Sequence, residues 1–133
     1  MKLDFSPFEK ALVSLKKGLK RATEHPKDEE LRDACIQRFE YSFELAWKML
    51  KRQLEKEDGN SSEIDSYSKK NLFRVSGEKG LIGNVENWFN YLEKRNLTAH
   101  TYDLENAQEV FSVIEDFLKD AEDLLKKLKA RHD

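Results

Sequence analysis

Between positions 95 and 103 the chain reads Arg-Asn-Leu-Thr-Ala-His-Thr-Tyr-Asp, its densest group of side chains able to do chemistry. Arg95 offers a fixed, forked cation that suits phosphate, and His100 is the side-chain type that exchanges protons near neutral pH. Tyr102 adds a phenol and Asp103 a carboxylate. A phosphate ester with a proton to move is the substrate such a set serves. The same residues also admit a structural reading, in which Arg95 pairs with a glutamate, His100 closes a helix end, Tyr102 packs and Asp103 caps the next helix. Positions five apart on an α-helix lie roughly 140° around its axis. Arg95 and His100 therefore share a site only if the helix ends between them, or if partners come from another helix or another subunit.

Helices must position this segment, because two prolines and five glycines leave little room for turns and no strand alternation persists. Ser6-Pro7-Phe8-Glu9 reads as N-cap, first helical residue and capping box. A stripe of Leu12, Leu15 and Leu19 follows, and His25-Pro26 ends this first helix. Asp28 caps a second helix that runs to about Asp58-Gly59, with Leu31, Cys35, Phe39, Phe43, Ala46, Leu50 and Leu54 stepping along one face. At ~1.5 Å per residue it spans on the order of 45 Å and forms the spine. A polar loop at 59–62 leads to a shorter helix from about 67 to 76, closed by Gly77 and Gly80. Asn84 caps a fourth helix that carries Trp88 and delivers the chain into Arg95. Asp103 caps a long last helix with Leu104, Ala107, Phe111, Ile114, Leu118, Ala121, Leu125 and Leu128 as its buried stripe. The fold class expected is all-α: an antiparallel, up-and-down bundle of four to five helices.

Bulk properties narrow the function. The 133 residues suit one domain spanning positions 1–133. A net charge of −2, from 24 basic and 26 acidic residues, excludes a protein that coats nucleic acid through a broad basic surface. Contact with RNA or a nucleotide must be local, made in a cleft. One cysteine forms no internal disulfide, nothing has zinc-site spacing, and neither a metal nor a cofactor is expected. The start of the chain has no apolar signal run and no stretch reaches the ~20 apolar residues of a membrane span, so a cytoplasmic protein is expected.

Other candidates weigh less. Cys35 lies in the apolar stripe and reads as core. His25 sits in a loop and His132 in a charged tail expected to fray. Glu40 and Glu44 lie one turn apart on the second helix, and they matter chemically only if their face looks toward Arg95 and His100. The aromatics at 39, 41, 43, 47, 88, 89 and 91 point in several directions. They imply either a thick core or a second apolar face used for a two-fold dimer.

The residues 95–102 resemble the R-x4-H-x-Y signature of the HEPN superfamily, in particular HepT-type toxins and the related nucleotidyltransferase substrate-binding proteins. Three other stretches agree with the substrate-binding branch: Arg38-Phe39-Glu40-Tyr41-Ser42-Phe43-Glu44-Leu45-Ala46-Trp47-Lys48, the 72–82 segment, and Trp88 ahead of the motif. The resemblance implies a HEPN-like bundle that dimerises with its motifs facing a shared cleft for a nucleotide or RNA phosphate. It also implies a small nucleotidyltransferase, encoded nearby, as partner. Toxin-type members are metal-independent ribonucleases. Carried over, Arg95 would hold the scissile phosphate, Asn96 would help orient it, and His100 would act as general acid or base. Glu40, Glu44 and Asp103 would support them, and Tyr102 stands where the partner enzyme adenylylates the motif tyrosine. A non-catalytic bundle that only positions the nucleotidyltransferase is the alternative. The chain has no Gly-Ser followed by an Asp-x-Asp pair, so nucleotide transfer must come from another polypeptide.

Overall fold

The computed structural model describes residues 3–132, and every regular element among them is helical. α1 (Ser6–Glu24) and α2 (Glu29–Asp58) form a hairpin, with a short turn at 25–28 reversing the chain. α3 (Ser61–Asp65) is a single short segment folded back on α2. α4 (Lys69–Glu78) and α5 (Val85–Leu97) follow, then a 3-10 turn (Thr98–His100), α6 (Leu104–Ser112) and α7 (Ile114–Ala130). α2 contacts α1, α3, α4, α5, α6 and α7, so it is the spine its length implied.

Local chemistry sets most boundaries. The side chains of Asp28, Asn84 and Asp103 each accept a backbone N–H of the first turn they cap, as their positions led us to expect. Gly59 ends α2 in the left-handed region at φ 68°, where a side chain would be strained. Gly77 is needed for a different reason: a Cβ there would come within 2.3 Å of Val85 Cγ2, at the junction of α4 and α5.

Four expectations need correction. Ser6 is already helical, and Phe5 occupies the cap position without a side-chain bond; Asp4 Oδ1 accepts the Ser6 N–H instead. The polar loop after Gly59 contains α3, because Asn60 caps it and Ile64 is buried against the spine. The expected last helix is broken at Val113 into α6 and α7. The buried stripe keeps its spacing through the break but differs from the expected one: Val110, Phe117 and Leu124 are fully buried, whereas Leu104 is 52% exposed. His132 does not fray away; its Nε2 lies 2.6 Å from Gln53 Oε1, and its ring meets Phe5 edge-on at 5.1 Å.

The aromatic question resolves mainly into a thick core. Phe117 of α7 meets Phe39 at 5.0 Å, Tyr91 at 5.3 Å, Trp88 at 5.8 Å and Phe43 at 6.2 Å, so rings from α2 and α5 converge on one residue. Cys35 is buried with them, and burial pushes its thiol up to about 11, out of the range of a nucleophile. Tyr41 stays exposed, and Trp47 and Phe89 are only partly covered.

Tyr91 also ties α5 to α7. Its hydroxyl donates to Asp120 Oδ2 at 2.5 Å, and burial, followed by this bond, raises its pKa above the ordinary tyrosine value. Raised ionisation means that the contribution to stability is intact below about pH 10, the unfolded value, and is lost as pH climbs beyond it. Tyr91→Phe is expected to cost about 1.5 kcal/mol at neutral pH. It should also flatten the alkaline fall in the urea midpoint above about pH 10, the ordinary tyrosine value. Parallel curves for the variant and the wild type would rule this out.

Candidate functional site

α5 delivers Arg95 on its last turn, and the identity of the residues around it decides where its guanidinium points. Trp88 and Tyr91, seven and four residues earlier on the same face of α5, are buried and fix that face against the core. Arg95 Nε donates to Glu44 Oε1 at 3.1 Å across the gap to α2, and Nη1 donates to Thr98 Oγ1 at 3.2 Å. The Thr98 hydroxyl in turn donates to the Arg95 carbonyl at 2.7 Å, which closes the helix end. Glu44 is itself held: its Oε2 accepts the Trp47 indole N–H at 2.9 Å. The pair is partly solvated, with both side chains 29% exposed. A guanidinium has five N–H donors. Two are used here, so three remain without a partner among the described residues. The cation is thus aimed and only partly satisfied, which is the state suited to accepting a phosphate.

His100 comes at the end of the 3-10 turn and is exposed. Its carbonyl accepts from Asn106 Nδ2 at 3.1 Å, which anchors the turn to α6. Its Nδ1 lies 3.4 Å from the Tyr102 hydroxyl, and the two rings meet edge-on at 5.9 Å. The imidazole Nε2 has no hydrogen-bond partner among the described residues. Tyr102 is 87% exposed, extreme for an aromatic side chain.

The sequence-derived set therefore separates into two clusters. Glu44 joins Arg95, so the face of α2 that mattered does look toward the motif. His100 joins Tyr102. The helix ends between Arg95 and His100, yet no hydrogen bond among the described residues links them. Asp103 spends its Oδ1 on the Glu105 N–H, 2.9 Å away, as a helix cap. Glu40 is half-buried one turn before Glu44 and has no hydrogen bond or ion pair among the described residues. Asn96 is exposed and lines a groove of about 440 Å³ between α4 and α5.

Three contributors went unread in the sequence. Thr98 orients Arg95 from one turn on, a spacing that a search for hydroxyls near the motif arginine would find. Trp47 holds Glu44 from three residues on. Lys94 is 8% exposed, with Nζ 2.8 Å from Glu109 Oε1, and it clamps α5 to α6 around the motif turn. Nothing in the sequence distinguishes it from a surface lysine.

Comparison with known proteins agrees with this architecture. Residues 3–130 match the family model described as nucleotidyltransferase substrate binding protein like. A Haemophilus influenzae protein named "Probable ribonuclease HepT" is 42% identical over 98 residues, which is 74% of this chain and 67% of that protein. A solved Haemophilus influenzae structure, described as revealing the fold of a substrate binding domain of a nucleotidyltransferase, superposes with a TM-score of 0.88. It is 33% identical, over 95% of this chain and 99% of the other. A crystal structure of a Thermus thermophilus protein gives a TM-score of 0.77 at 33% identity, over 91% and 98% of the two chains. The chain belongs to the nucleotidyltransferase substrate-binding protein family.

Proposed function

We propose that this chain is the homodimeric partner subunit of a small nucleotidyltransferase and that it is itself a metal-independent endoribonuclease. Arg95 binds the scissile phosphate through its unused donors, with Glu44 and Thr98 setting its direction. His100 Nε2 exchanges the proton: it accepts from the ribose 2′-hydroxyl as that oxygen bonds to phosphorus, or donates to the 5′ oxygen as the P–O bond breaks. Asn96 orients the strand beside Arg95. The observation that carries the reading is the pairing of a part-satisfied Arg95 with an exposed His100–Tyr102 couple at one helix end. Two features favour a dimer. Arg95 and His100 do not meet within one chain, and Leu104 stays exposed next to the motif.

Tyr102 is the control point. Its hydroxyl is accessible to a second enzyme and lies against His100, so adenylylation there places an anionic, bulky group on the general acid–base and in competition with RNA for Arg95. The test has two arms. Purified protein is incubated with RNA in the presence of a chelator, and the same protein, co-expressed with its nucleotidyltransferase, is examined by mass spectrometry for one AMP on Tyr102. Cleavage that disappears once Tyr102 is modified supports the whole reading.

The Arg95–Glu44 pair favours a second reading. An arginine already neutralised by a carboxylate suits a bundle that binds and positions the nucleotidyltransferase without cleaving anything. An intact complex between the two proteins, with RNA left whole by the unmodified dimer, would select that alternative.

A further inference from the structure

The chain has no overall basic character, but its cations are unevenly placed. α4 presents Lys69, Lys70 and Arg74, and each lies over an aromatic ring that the core does not fully cover. Lys69 Nζ is 4.9 Å from the Trp47 ring centre. Lys70 Nζ and the Arg74 guanidinium are 5.6 Å and 5.3 Å from that of Phe89. Two hollows flank α4. On the α2 side Trp47, Tyr67 and Lys69 contribute to a hollow of about 220 Å³. On the α5 side Phe89, Lys70, Asn90 and Asn96 contribute to the groove of about 440 Å³, within the size range of small-ligand sites.

The α2-side hollow touches the candidate site through one bonded side chain, and the α5 groove neighbours it along the chain. Trp47 is bonded to Glu44, which holds Arg95, and Asn96 is the next residue after Arg95. The amides of Asn90 and Asn96 have no internal hydrogen-bond partner among the described residues, so their donors and acceptors are open to a ligand. Glu86 and Glu93 also line the α5 groove, and their carboxylates repel phosphate. An anionic chain therefore passes over the α4 cations, while its flat, neutral groups turn into the hollows.

We infer that the ridge of α4, with Trp47 and Phe89 on its two sides, is a single-stranded RNA track in which successive bases stack on the aromatics and phosphates meet Lys69, Lys70 and Arg74. In the free protein the cations lie over the rings, and on binding they turn to the phosphates as bases take their place; aromatic platforms with cations beside the backbone are what sequence-tolerant single-strand binding uses. This deepens the ribonuclease reading and rests on it, because Trp47 holds the Glu44 that orients Arg95 and Asn96 follows Arg95 in the chain. A duplex cannot present unstacked bases to the hollows, so single strands bind in preference.

Fluorescence anisotropy with a labelled ten-nucleotide single-stranded RNA, and with its duplex, tests the idea. Variants are Lys70→Ala/Arg74→Ala and Phe89→Leu, with circular dichroism confirming their fold. Each variant is expected to bind the single strand about tenfold more weakly. The double variant also lowers the salt slope by about 1.4, from two charges at about 0.7 each. Cleavage of a dinucleotide, which fills only the Arg95 centre, stays as in wild type. Wild-type affinity in both variants, no binding by the wild type, or equal affinity for duplex would overturn the track. Loss of nucleotidyltransferase co-purification with RNA affinity unchanged would make this face a protein-docking surface, again against the proposal. If RNA binds as expected but the wild type cleaves nothing, the track stands and the nuclease reading fails.

Discussion

His100→Ala is expected to reduce metal-free RNA cleavage by about 10²–10⁴-fold, the range for removing a positioned general acid–base. Arg95→Ala is expected to act at least as strongly, because it removes the cation that holds the phosphate. Both losses should occur with little change in stability. His100 is exposed, and substitutions at such positions usually move stability by less than about 0.5 kcal/mol. Arg95 pairs with a partly solvated Glu44, and the loss of such a pair costs on the order of 1 kcal/mol or less. Arg95→Lys is the sharper control. An ammonium keeps the charge, but it cannot bond Glu44 through one edge while presenting a planar fork through the other. Cleavage should therefore remain low in that variant. Product formation from an unstructured RNA in chelator, measured beside thermal unfolding, checks all three. Full activity in either alanine variant, or a melting point lowered by many degrees with activity retained per folded molecule, would return these residues to a structural role.

What could be read without coordinates follows a physical division. Helix boundaries depend on local chemistry, and Asp28, Asn84 and Asp103 state that chemistry in one or two residues. The family was legible for a similar reason: the motif and the 38–48 block are short and distinctive. Tertiary geometry was not. Whether Glu44 faces Arg95 depends on how α5 crosses α2, and no spacing within either helix encodes that crossing. The break at Val113 leaves no trace in the pattern because apolar residues keep three-four spacing through it, and Leu104, Phe111, Leu118 and Leu125 offer a second plausible stripe. Burial of Val110, Phe117 and Leu124 wins because the core requires them there. The cations of α4 look like an ordinary solvated run until Trp47 and Phe89 are seen beneath them. Net charge describes a whole chain, and a site responds only to what lies within about a Debye length, about 10 Å at 0.1 M salt.

Phe117→Ala should produce the largest loss of stability of any single substitution considered. The ring is fully buried and touches Phe39 and Phe43 of α2 as well as Trp88 and Tyr91 of α5. Truncating a buried phenylalanine to alanine costs about 3–5 kcal/mol, the removed transfer energy plus the cavity. Domains of this kind have only about 5–15 kcal/mol in total. The melting temperature is expected to fall by roughly 10–25 °C, from a few degrees per kcal/mol at this chain length. Phe117→Leu fills most of the space and should recover the larger part of it. The functional consequence follows from α5, because Trp88 and Tyr91 anchor the helix that ends in Arg95. With that anchor loosened, the Arg95–Glu44 alignment loosens before the exposed His100–Tyr102 pair does. RNA affinity in Phe117→Ala should then weaken well below its unfolding midpoint. A shift of under about 5 °C would mean that α6 and α7 collapse readily into the cavity, and that α5 is held by its Asp120 and Glu109 bonds instead.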